Sequence, residues 1–176
     1  DIVAAFASPD VTAAVAWNPQ LSAIVAQPGA RLLFSSADVP GEIIDLLVVD
    51  SATLKANPQL GKALAGIWYE TVALMARRDA QGAAARAAMA RLAGATPRQF
   101  DAQLSTTYLY ADPAAAVAAT TAPALITTMQ RVRDFSFARG LFKGAARADA
   151  VGIAFPGGKT LGDPARVTLR FDERFM

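Results

Sequence analysis

The stretch IIDLLVVD, residues 43–50, decides the fold. It is rich in the β-branched and aliphatic residues that favour extended backbone, and it reads as the strongest strand in the chain. Its charged residues need separate accounts. A buried carboxylate costs several kcal/mol unless it is paired, so Asp45 either faces solvent or meets a partner. Asp50 ends the run and reads as the cap of a helix beginning at Ser51, with a place at the rim of a cleft as the alternative. Glu42 follows Pro40-Gly41 at the strand entrance, where a carboxylate is either solvated or turned toward a ligand.

N-terminal to this run, Asp10 to Trp17 suit a buried strand through Val11, Val15 and Trp17. Asn18-Pro19 stops it, and Pro19 fits the first position of a helix through Val25 that Pro28-Gly29 ends. A second short strand, Arg31 to Phe34, completes a β-α-β unit, and Ser35 to Gly41 form a polar loop. An indole directly before Asn-Pro is unusual at a strand end, where a turn residue is the usual occupant. Asp1-Ile2-Val3 reads as the middle of a helix, so the 176 residues are expected to be part of a longer chain.

C-terminal to the run, helices dominate. Asn57-Pro58 opens a segment that puts Leu60, Leu64, Ile67, Trp68, Thr71, Val72 and Met75 on one stripe, and this stripe must be covered, self-association being one way. Trp68-Tyr69-Glu70 within it reads as core packing. Ala80 to Leu92 is helical by propensity, with Arg86 and Arg91 in its polar part. Thr96-Pro97 starts a further helix to about Leu104, capped by Thr96. Tyr108 and Tyr110 fall in a break, as ligand-stacking rings or helix-docking anchors. Helices then begin at Asp112-Pro113 and at Pro123, the last with Leu125, Met129 and Val132 on one face. The tail from Val151 changes to turns and strand, and Arg166 to Phe171 alternates as an edge strand does.

Composition narrows the chemistry. Seventeen basic and fifteen acidic residues leave a formal charge of +2, and the basic residues are scattered, which argues against nucleic acid as a partner. The chain has no Cys and no His, which removes thiol nucleophiles, disulfides, thiolate metal sites and the commonest general base and metal ligand. Neither a metal nor a cofactor is expected. No apolar run approaches the roughly 20 residues that span a bilayer. FPGGKT, residues 155–160, contains the Gly-Lys-Thr of a phosphate loop, but position 153 is Ile where the loop needs glycine. Leu161-Gly162-Asp163-Pro164 also cannot begin the helix that such a loop requires, so Pro156-Gly157-Gly158 reads as a hairpin turn.

The order of elements, with LKANPQLGKALAGIWYETVALM at residues 54–75 as its most specific part, resembles the C-terminal half of a periplasmic solute-binding protein. The resemblance is to the nitrate, sulfonate, taurine and thiamine-pyrimidine-precursor group of ABC-transporter receptors. VGIAFPGG and LRFDERFM in the tail resemble the subgroup associated with urea carboxylase. It implies an α/β, helix-rich part of a two-lobed type II fold. Residues 1–42 would close the second lobe, and residues 43–176 would supply the hinge-crossing strand and the C-terminal part of the first.

The function implied is non-enzymatic: a periplasmic or lipid-anchored receptor delivering a small polar solute, urea-like or guanidine-like, to a membrane permease. Ligands of open α/β sheets lie beyond the carboxyl ends of strands. Trp17 and Asn18 stand at such an end. The indole suits a flat guanidinium through cation–π attraction, and a planar cation needs carboxylate acceptors, for which Glu42 and Asp45 are the candidates. The competing expectations are an enzyme of the same fold resembling thiamine-pyrimidine synthases, which depend on the His and Cys missing here, and a helical protein-interaction module. A homodimer of the chain is also expected, to cover the stripe from Leu60 to Met75.

Overall fold

In the computed structural model, which describes residues 1–176, the chain is helix-rich with one small sheet, an α/β composition. Eight helices run in order: α1 (Ile2–Phe6), α2 (Gln20–Val25), α3 (Ser51–Ala56), α4 (Gln59–Ala76), α5 (Ala80–Leu92), α6 (Pro97–Ser105), α7 (Pro113–Thr121) and α8 (Pro123–Ala138). Three strands follow, β1 (Gly152–Ala154), β2 (Thr160–Leu161) and β3 (Val167–Arg170). The backbone divides into two compact units, one of Asp1–Val39 with Val72–Leu109 and the other of Pro40–Thr71 with Tyr110–Met176.

Helix starts follow their side-chain caps. Asp1 accepts from the Val3 amide at the start of α1. Asp50 caps α3 through the Thr53 amide and hydroxyl at 2.8 and 3.0 Å, as expected. Hydrogen bonds from Thr53 hold this carboxyl below its ordinary range. Thr96 and Gln99 form a reciprocal capping box ahead of Pro97, and Asp112 takes the Ala114 and Ala115 amides ahead of Pro113. Pro19 stands one residue earlier than expected, as the N-cap of α2 after a cis Asn18–Pro19 bond.

In the first unit, α5 and α6 pack together around Arg86. Its Nη1 donates to the Met75 and Arg77 carbonyls at 2.7 and 2.8 Å, and its Nε lies 3.0 Å from an Asp101 carboxylate oxygen. One guanidinium thus satisfies two carbonyls at the end of α4, groups that have no partner inside their own helix. The expectation that Arg86 belongs to the polar face is corrected, because its side chain is largely covered. Asp79 caps α5 and pairs with Arg77, which holds the Asp79 carboxyl below its ordinary range.

In the second unit the core is Leu125, Ile153 and Phe155, flanked by Ile126, Met129, Leu161, Leu169 and Phe171. Phe155 stacks on Phe171 with ring centroids 5.3 Å apart. Of the face expected on α8, Leu125 and Met129 pack inward, whereas Val132 is exposed and Arg133 takes the inward place. The sheet order is β2-β1-β3, with β1 antiparallel to β2 and parallel to β3. Between β1 and β2 the Phe155 amide donates to the Lys159 carbonyl at 2.8 Å, and Gly157 takes φ +73°, so the expected turn at 156–158 forms. β3 is the expected edge strand, one residue shorter at each end.

The three strands expected in the first fifty residues do not form. Residues 11–17, 31–34 and 43–50 lie outside any helix or strand, and residues 12–16, 31–34 and 43–49 make no backbone–backbone hydrogen bond. The β-α-β unit is therefore not assembled, and only α2 of it is present. A strand exists through its ladder, and within these 176 residues no neighbour presents one. Most large side chains of these segments stay exposed, Leu47 and Val48 at 67% and 71%, with Val11 and Val49 partly covered. The α4 stripe is also narrower than expected: Val72 is buried, but Ile67 and Trp68 are exposed. The Trp68 indole donates to the Tyr110 carbonyl at 3.3 Å instead of filling a core.

Candidate functional site

Trp17 and Asn18 sit at the end of the irregular segment 11–17, Glu42 directly before the segment 43–50, and Asp45 within it. Trp17 ends residues 11–17 with 78% of its surface exposed, and its carbonyl accepts from the Leu21 amide at 2.8 Å, tying it to the first turn of α2. Asn18 is fixed beside it, its Oδ1 accepting from the Ser22 hydroxyl at 2.7 Å. The indole therefore stands clear of packing on a locally anchored backbone.

Glu42 and Asp45 belong to the other unit. Asp45 is exposed, which selects the solvent-facing alternative for a carboxylate inside an apolar run. Glu42 is partly covered, and its Oε1 accepts from Arg131 Nη1 of α8 at 3.0 Å. Sequence reasoning missed this partner, because the pair is separated by 89 positions and no local pattern announces it.

Arg133 is the second charged group that the sequence did not single out. Its side chain is only 7% exposed. Nε and Nη2 donate to Asp134 Oδ1 at 3.1 and 2.9 Å, and Nη1 lies 3.2 Å from Asp149 Oδ1 but off the axis of a hydrogen bond. The one signal available was its place two residues after Arg131 on α8, where the apolar face was expected to run. Arg133 reaches the turn at Gly162, where a Cβ would come within 3.3 Å of its Nη1 and 2.1 Å of the Val151 carbonyl. Only glycine fits at 162, with φ +78°.

A cleft of about 380 Å³ opens in the second unit beside Gly144, Arg147, Ala150, Asp163 and Arg166. It contains none of Trp17, Asn18, Glu42 and Asp45. Tyr69 in α4 is partly buried, and burial with the nearby Asp112 carboxylate raises its phenol above the ordinary value. No group of three or more acidic side chains is placed to hold a metal ion, and no helix is long and apolar enough to cross a membrane.

Comparison with family models, with curated proteins and with solved structures finds no match to this chain.

Proposed function

We propose that the chain is part of the solute-binding component of an ABC transporter, a two-lobed periplasmic or lipid-anchored receptor for a small planar nitrogen compound, guanidine-like or urea-like. One observation carries the reading. Three apolar segments with strand composition lie outside any ladder, largely exposed and with no backbone hydrogen bond along most of their length, and the candidate recognition residues sit beside or within them. Such segments are the expected state of strands whose sheet is completed by other polypeptide, and an α/β sheet gathers ligand-binding residues at its strand ends. The resemblance of residues 54–75 to the nitrate, sulfonate and taurine receptors supports the same reading.

In this proposal the Trp17 indole offers a face to a flat cation, with Asn18 to donate or accept at its edge, while Glu42 and Asp45 are carboxylate acceptors for N–H groups. The protein carries out no covalent chemistry. Lobe closure sets affinity through the difference between open and closed states, and the exposed charges of the helices dock a membrane permease. The exposed Ile67 and Trp68 of α4 favour a second component of the reading, self-association or contact with a partner helix through that face.

Calorimetric titration with guanidinium, urea, nitrate and alkyl sulfonates tests the proposal. Binding of guanidinium or urea with loss of affinity in Trp17→Ala is the expected result. Absence of binding to every one of these solutes overturns it.

A further inference from the structure

Glu42 is already bound to a guanidinium, that of Arg131. The contact is single, Nη1 to Oε1 at 3.0 Å, and it joins a side chain 69% exposed to one 35% exposed. Two properties make it displaceable. Exposed ion pairs contribute little, because both groups remain well hydrated and a long side chain loses rotamer freedom to hold them together. A guanidinium recognised by a carboxylate in its strongest form uses two parallel N–H groups on two oxygens, and the contact from Arg131 uses one.

We propose that Arg131 is an internal competitor for the ligand: its guanidinium occupies the Glu42 carboxylate in the empty protein and must leave it when a solute of the same chemistry binds. The inference rests on the reading of Glu42 as a ligand acceptor. It adds a residue on α8 that sets affinity without being a site residue. It also narrows the solute, since a species that takes over an arginine's place on a carboxylate is a planar cation. Neutral urea offers the same N–H geometry without the charge, and it competes poorly against Arg131.

The position of the pair explains why a competitor matters. Glu42 lies directly before the apolar run 43–49, which makes no backbone hydrogen bond of its own. The reach from α8 to Glu42 is a long-range side-chain tie on this part of the chain, so exchange of Arg131 for a ligand releases the strand entrance from α8 as it fills the site. Ligand binding and freedom of residues 40–50 are thereby coupled through one carboxylate.

The test is calorimetric titration of the 176-residue chain with guanidinium chloride, against sodium chloride of matched ionic strength, for the native sequence, Arg131→Gln, Arg131→Lys and Glu42→Gln. Arg131→Gln is expected to bind guanidinium about twofold to fivefold more tightly, the range that an exposed ion pair covers. Arg131→Lys should fall between the two, since it keeps the charge without the planar fork. Glu42→Gln should lose binding. Native binding that is unchanged or weakened by Arg131→Gln overturns the competitor while leaving the receptor reading in place. Retained affinity in Glu42→Gln overturns both the competitor and the role of Glu42. No binding in any folded variant, with native circular dichroism, removes the reading and the inference together.

Discussion

Residues 152–154 and residues 43–49 belong to the same unit and have opposite fates. Gly-Ile-Ala, which has weak strand composition, is the central strand of a sheet, paired on both sides, with Ile153 buried. Ile-Ile-Asp-Leu-Leu-Val-Val, which has strong strand composition, pairs with nothing. The difference lies outside either segment. β1 has a tight turn that returns β2 beside it and the turn at 164–166 that brings β3 to its other edge, so its backbone groups find their partners between Thr160 and Arg170, in the chain that directly follows. The longer run is apolar on both faces, the pattern of a strand covered above and below in a parallel sheet, and such a strand depends on distant chain for its neighbours. β-propensity thus records how well a residue fits a pleated, covered surface, and does not create that surface.

The sharpest test of the contrast removes the core that β1 builds. Phe155→Ala deletes a buried ring stacked on Phe171, and it should cost about 3–5 kcal/mol of unfolding free energy in urea titration. A loss below about 1 kcal/mol would mean that this sheet is no better fixed than residues 43–49.

A smaller effect belongs to Asp172, just after β3. The Arg174 side chain bonds to its carboxylate and holds the carboxyl below its ordinary range. Because the folded value is the lower one, the pair stabilises the native state at pH above the unfolded value, roughly 4, and this contribution disappears as pH falls through the folded value. Thermal melts in that acid range should therefore fall more steeply for the native sequence than for Asp172→Asn, with about 1 kcal/mol separating them at neutral pH. Parallel curves would show that the pair is not formed.

The smallest expected effect probes the other side of the comparison. Replacing Ile43, Leu47 and Val48 together by Thr removes three exposed apolar side chains, and stability should change by no more than about 0.5 kcal/mol while aggregation at high concentration declines. A loss above about 2 kcal/mol would mean that these side chains are covered in solution, by a second copy or another chain.

Helix boundaries were legible because their signals are local. Asp50, Thr96-Pro97, Asp112-Pro113 and Pro123 announce starts that the caps and fixed proline angles produce within one turn. The hairpin at 156–158 was legible for the same reason, through turn chemistry. Strands in the first fifty residues were misjudged because their existence depends on a partner that composition cannot supply. On α8, periodicity placed Val132 inward, but Arg133 goes there because Asp134 and Asp149 gather around its guanidinium. The candidate set, an indole, an amide and two carboxylates, was legible only as residue types at their positions. Its most telling contact, Arg131 on Glu42, was not, since two surface charges 89 positions apart carry no pattern.

Residues 175 and 176 pack back onto α4 and α7. Phe175 lies against Gly61 so closely that a Cβ at 61 would come within 2.7 Å of the ring, and the Met176 sulfur sits 3.8 Å from the Thr120 hydroxyl. The tail is a latch keyed to a missing methyl group. The ring can seat there only because the helix presents bare backbone at that position, so one absent side chain on α4 sets where residue 175 docks. An alanine at position 61 would have to push the Phe175 ring aside, so a single methyl group is enough to dislodge residue 175 from its seat.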